Sequence, residues 1–123
     1  MSEENILLEL EQCGVGLSAV LERFMGNKAI YMKMLLLVKK DTSFAGLKEA
    51  LLEKDYKKAF EQGHTLKGVA GNLGFDKVLE NLTPMVELLR DADSAPFHAE
   101  EIEGYMEKLM ADYEKIEKIL EKL

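Results

Sequence analysis

From Ile102 to Leu123 the apolar residues step by four and three: Ile102, Met106, Leu109, Tyr113, Ile116, Leu120 and Leu123. Side chains spaced this way share one face of an α-helix. The pattern predicts a helix of roughly 25 residues with one apolar seam, Glu and Lys filling its other faces. Such a seam needs a partner, either a second copy in a coiled coil or the rest of the same chain. In 123 residues the intramolecular bundle is the economical answer. Pro96 stands where helix starts favour proline, after an Asp91–Ser94 stretch able to cap or turn.

The same period runs upstream, and nowhere does a period of two last long enough for a convincing strand. Asn27 can cap a helix whose apolar face includes Ile30, Tyr31, Met34 and Leu37, with Met34–Val38 expected to be buried nearly all round. Asp41–Ser43 interrupts or kinks it, and Phe44, Leu47, Leu51 and Leu52 continue the face. Asp55 can cap the next helix, striped by Tyr56, Ala59, Phe60, Gly63, Leu66, Ala70 and Leu73, and Gly74 suits a left-handed C-terminal cap. A further helix is expected from Asp76 to Arg90, kinked at Pro84, whose nitrogen cannot donate to Glu80. Short connections make consecutive helices antiparallel neighbours. The expected fold is all-α: an antiparallel up-and-down four-helix bundle with a short N-terminal helical cap, residues 1–123 forming one domain.

Composition narrows the function classes. A chain of this length buries enough surface for a core without disulfide or metal staples. The lone Cys13 cannot form an internal disulfide, which suits a reducing cytoplasm. The longest apolar run, Met34–Val38, is far short of the ~20 residues of a membrane span, and the acidic N-terminus is unlike a signal peptide. A net charge of −7 argues against nucleic acid as the main partner. The charge is uneven, because residues 28–67 carry nine lysines against five acids. That third of the chain is either a set of solvated helix faces or a positive patch for an anionic site on a partner.

One segment breaks local rules. The helix expected up to Leu73 contains Gly63, Gly68 and Gly71, each costing ~1 kcal/mol relative to alanine. At 100° per residue, His64 falls at the edge of the apolar stripe. Its face carries Phe60 at i−4, Lys67 at i+3, Gly68 at i+4 and Gly71 at i+7, whereas Gly63 turns toward the core, where its role is helix packing. Each feature alone has an ordinary reading: a surface histidine, packing glycines, a solvated lysine. Together they describe an imidazole projecting into a cleared hollow beside a fixed positive charge.

A zinc site needs three or four ligands, and the only other histidine, His98, lies beyond a helix break in an acidic turn. No serine, nor Cys13, has the spacing of an activated nucleophile beside its base, and Thr65 points to another face. No Gly-rich nucleotide loop is present. What remains is histidine itself as the nucleophile, with Lys67 offsetting charge on an incoming phosphoryl group.

The run His64-Thr65-Leu66-Lys67-Gly68-Val69-Ala70-Gly71-Asn72-Leu73-Gly74 resembles the signature of histidine-containing phosphotransfer (HPt) domains. Lys54-Asp55-Tyr56 looks like the family's helix-opening Asp-aromatic pair, and Leu21-Glu22-Arg23-Phe24-Met25-Gly26-Asn27 resembles its Leu-x-Arg-Phe-x-Gly-(Asp/Asn) segment. The resemblance runs from about Gly14 to Arg90, with a compatible final helix. It departs from the family at Gly63, where many members have alanine, and at Pro84.

The resemblance implies a phosphorelay intermediate. His64 would accept a phosphoryl group through Nε2 from a receiver-domain aspartate, or from a hybrid sensor histidine kinase, and pass it to a response-regulator receiver. Lys67 would stabilise the phosphoryl charge, and Gly68 and Gly71 would give steric access. The chain would hold no cofactor or metal, Mg²⁺ being expected in the partner receiver, and would be a monomeric phosphocarrier without kinase activity of its own. Phe60, Tyr31 and Met34 are candidates for receiver docking. The alternative is a helical adaptor or dimerising bundle that binds signalling partners without carrying phosphate.

Overall fold

The helical period is realised throughout. A computed structural model describes residues 2–123, which form seven α-helices and, among the described residues, no strand: α1 (Glu3–Gln12), α2 (Leu17–Arg23), α3 (Lys28–Lys39), α4 (Ser43–Leu52), α5 (Tyr56–Leu73), α6 (Asp76–Leu89) and α7 (Ala99–Leu120). A 3-10 turn, Ala95–His98, precedes α7. None of these helices is long and apolar enough to cross a membrane.

The boundaries have local causes. Asn27 Oδ1 accepts from Ile30 N at 3.2 Å to open α3, and Asp55 Oδ1 accepts from Lys58 N at 3.1 Å to open α5. Asp41 separates α3 from α4 by folding its carboxylate onto Ser43 N at 2.9 Å and onto the Ser43 hydroxyl. Gly74 ends α5 at φ 75°, and a Cβ there would also lie 3.2 Å from Gly16 O. Pro84 leaves α6 unbroken, since the carbonyl it frees belongs to exposed Glu80, where water can serve it.

α4, α5, α6 and α7 pack in sequence order as the antiparallel bundle. The α7 seam is spent inside it: Ile102, Met106, Leu109, Tyr113, Ile116 and Leu120 are all buried. Near one end α4 closes on α7 through Phe44 and Tyr113, ring centroids 4.2 Å apart. The N-terminal cap is larger than the sequence suggested, three helices laid over the end where α5 and α7 finish. Tyr31 Oη donates to Leu73 O at 2.7 Å, Gly16 N to Gly74 O at 2.8 Å and Lys39 Nζ to Leu123 O at 3.0 Å, while Lys122 Nζ pairs with Glu9 Oε1 at 2.6 Å.

Two expectations are corrected. The buried face of α3 is Tyr31, Leu35 and Val38, whereas Ile30 is exposed and the Met34–Val38 run is open at Leu36 (46%) and Leu37 (60%). α3 crosses the bundle's end and touches it along one stripe only, so an all-apolar run is not matched by all-round cover. Leu52, at the last turn of α4, is 86% exposed rather than part of the apolar face. Pro96 stands in the first turn of the 3-10 helix that leads directly into α7, the helix-start position the sequence indicated.

Candidate functional site

The buried stripe of α5 runs through Ala59, Gly63, Leu66, Ala70 and Leu73. One residue past Gly63, His64 is rotated out of the core and is exposed. Its ring rests against Phe60, centroids 5.8 Å apart and planes inclined 47°. The guanidinium of Arg90, the residue that caps the end of α6, lies over that phenyl ring at 5.2 Å. Glu87, one turn earlier, holds Arg90 by two hydrogen bonds, Nη2 to Oε1 at 2.8 Å and Nε to Oε2 at 3.2 Å. His64 is therefore set beside the α5–α6 seam and flanked by side chains of both helices.

Charge at this face alternates. The Arg90 hydrogen bonds and charge hold the Glu87 carboxyl below its ordinary range, and Lys67 acts in the same direction. Glu87 in turn pushes the guanidinium of Arg90 up. Lys67 itself is half-buried on the His64 face.

The three helical glycines separate into two kinds. A Cβ on Gly63 would come within 3.0 Å of Val86 Cγ2, so Gly63 permits the close approach of α5 and α6. At Gly68 and Gly71 a Cβ would meet nothing within 4 Å. Packing does not require glycine at these two positions, and the surface past His64 is left bare for that reason. The structure brings His64, Lys67, Gly68 and Gly71 onto one face, as the sequence predicted.

Arg23, Glu87 and Arg90 were not anticipated. Arg23 Nη1 donates to Gly71 O at 3.0 Å, reaching the C-terminal part of the same face from α2. The signal for it was present, since Arg23 stands in the Leu21–Asn27 segment. Glu87 and Arg90 are an ordinary i,i+3 pair, and only the packing of α6 on α5 places them beside Phe60. Of the docking candidates, Phe60 and Met34 are partly exposed, but Tyr31 is 0% exposed with its hydroxyl bonded to Leu73 O, so it is a core residue. The lysine-rich third is dispersed over α3, α4, the α4–α5 turn and α5. Lys39 is tied to the Leu123 carbonyl, and Lys48 lies over the Phe44 ring at 4.9 Å. Among the described residues no three His, Cys, Asp or Glu side chains gather to hold a metal ion; His98 instead pairs with Glu101 at 3.2 Å.

Compared with known families, residues 35–121 match the model of the Hpt domain. The match takes in the end of α3 and all of α4–α7, including the face built around residue 64, and leaves the Leu21–Asn27 segment outside. No curated protein and no solved structure matches the chain.

Proposed function

The chain belongs to the Hpt domain family, whose members are phosphocarriers of phosphorelays, and from that premise we propose that His64 is its phosphoacceptor. The observation that carries the reading is an exposed imidazole inside the matched residues, with Lys67 one turn away and no side chain at Gly68 or Gly71 on the C-terminal side of it.

In the proposed reaction the free lone pair of the imidazole, on Nε2, attacks the phosphorus of an aspartyl phosphate on a receiver domain. An N–P bond forms, the P–O bond to the carboxylate breaks, and the aspartate leaves with the bonding pair. The ring proton stays on Nδ1. The reverse sequence delivers the group to the aspartate of a second receiver. The transferring group spreads negative charge over its peripheral oxygens, so Lys67 contributes by electrostatics alone. Gly68 and Gly71 let the receiver bring its aspartate in line, which makes the contribution of this chain largely one of position. Mg²⁺ belongs to the receiver in this scheme. Phe60, Met34 and the exposed Ile30 and Leu37 of α3 offer the apolar area for docking. The burial of the α7 seam suits a monomer.

The test is transfer from a phosphorylated receiver to the purified protein, wild type against His64→Gln. Acid-labile, alkali-stable label on the wild type alone is the expected result. Label on both proteins would overturn the assignment of His64, and receiver binding with no label on either would favour the adaptor.

A further inference from the structure

Among the described residues two side chains other than glycine sit at positive φ, Lys54 at 57° and Met25 at 56°. In that left-handed region Cβ crowds the following carbonyl oxygen, so a residue stays there only where its surroundings fix the backbone. Around Met25 they do. Gly26 N donates to Leu21 O at 2.8 Å and Met25 N to Glu22 O at 3.0 Å, which ends α2, and Asn27 then caps α3. Glycine normally fills such a position. A methionine there gains nothing from its own chain: Leu21 and Phe24 pack on the core, whereas Met25 is 93% exposed. A strained apolar residue with no internal contact points to a contact outside the molecule.

The turn is fastened to the C-terminal part of the His64 face. Two residues before Met25, Arg23 donates to Gly71 O, and the Phe24 ring meets Tyr31, whose hydroxyl is bonded to Leu73 O. Gly71 is seven residues from His64, about 10 Å along α5. An interface of ordinary size covers roughly 800 Å² of each partner, so one centred on His64 extends past Gly71 toward this turn.

Charge selects the partner. From Arg23 to Lys40 the chain carries five cations and no acid, within a protein of net charge −7. None of the five belongs to an ion pair of the described residues, Arg90–Glu87, His98–Glu101 and Lys122–Glu9. A receiver bearing an aspartyl phosphate is anionic where it meets this chain, which complements the segment. A second copy docked through the same patch would set like charges face to face.

Resting on the reading of His64 as phosphoacceptor, we propose that Met25 is a receiver-docking residue, an apolar anchor on the fixed α2–α3 turn with the cations of α3 beside it. Its position favours contact with the partner over the stability of the free chain.

The experiment follows the methionine methyl signals of the full chain by NMR as receiver domains from the same genome are added, each also loaded by acetyl phosphate for transfer assays. The Met25 methyl, identified by its absence from Met25→Gly, is expected to shift and broaden. Met25→Gly is expected to bind at least fivefold more weakly and to raise the half-saturating receiver concentration as much, with the rate at saturation changed less than twofold. Its urea midpoint should rise, and Met25→Leu should restore binding to within twofold. Binding of Met25→Gly within twofold of wild type, a lowered urea midpoint, or no binding of any receiver would each overturn the proposal. A Met25 response to phosphatidylglycerol vesicles and to no receiver would do the same, in favour of a membrane surface. Receiver binding through Met25 with no label on the wild type would sink the role of His64 and support the docking surface; label on the wild type with Met25→Gly binding unchanged would sink the docking residue alone.

Discussion

A glycine in an exposed helix turn is a choice against stability, and Gly68 makes that choice testable. Nothing would meet its Cβ, so Gly68→Ala is expected to stabilise α5 by about 1 kcal/mol through helix propensity alone. The same methyl group stands one turn from His64, in the path of an approaching receiver, and transfer should slow tenfold or more. Lys67→Ala supplies the complementary case: transfer slowed by about 10- to 100-fold from loss of a charge aimed at the phosphoryl oxygens, with the urea midpoint moved little. Opposite signs for stability and transfer at Gly68 separate clearance from packing. Transfer at the wild-type rate in either variant would remove that residue from the mechanism. Gly63 carries no such expectation, because its missing Cβ is accounted for by Val86.

At the scale of elements, the histidine helix is held by what caps its far end. The last carbonyls of a helix have no partner within it, and α5 ends in a buried place. The N-terminal helices answer this from outside, with Arg23 on Gly71 O and Tyr31 on Leu73 O. Tyr31→Phe deletes the second bond and leaves a buried carbonyl unmet, at a cost of about 1 kcal/mol or somewhat more. A lower urea midpoint with unchanged slope, and faster amide exchange at the end of α5, are the expected readings; an unshifted midpoint would show that the bond holds nothing. This arrangement also marks how far the sequence could be read. The period of α5, its Asp55 cap, its Gly74 stop and the face carrying His64 were legible because they depend on residues within one helix. The phase of α3 was not, because Ile30, Tyr31, Met34 and Leu37 are all apolar and only the crossing over the bundle end decides which are covered. Arg23, Glu87 and Arg90 escaped for the same reason, since each reaches or flanks the site across a contact between helices.

For the molecule as a whole, two buried phenols join its parts and set its alkaline limit. Tyr31 ties the N-terminal cap to α5, and Tyr113 packs α7 on Phe44 of α4. Burial pushes both phenols well above the ordinary value of 10.0, with Asp76 adding to the effect on Tyr31 and Glu117 and Asp41 to that on Tyr113. The unfolded chain ionises these groups near pH 10 while the folded chain keeps their protons. Above that pH the folded state therefore binds more protons than the unfolded one, and stability falls as pH rises. The stabilisation is complete below about pH 10 and is lost progressively above it, with a slope approaching two protons, about 2.7 kcal/mol per pH unit. Urea midpoints taken from pH 8 to pH 11 should be level at first and then drop. Tyr113→Phe, which removes an ionisable group while keeping the ring on Phe44, should halve the steepness of that drop and leave the midpoint at pH 8 nearly unchanged. A drop of equal slope in the variant would place the alkaline limit elsewhere than in the two tyrosines that fasten the cap and the open side of the bundle.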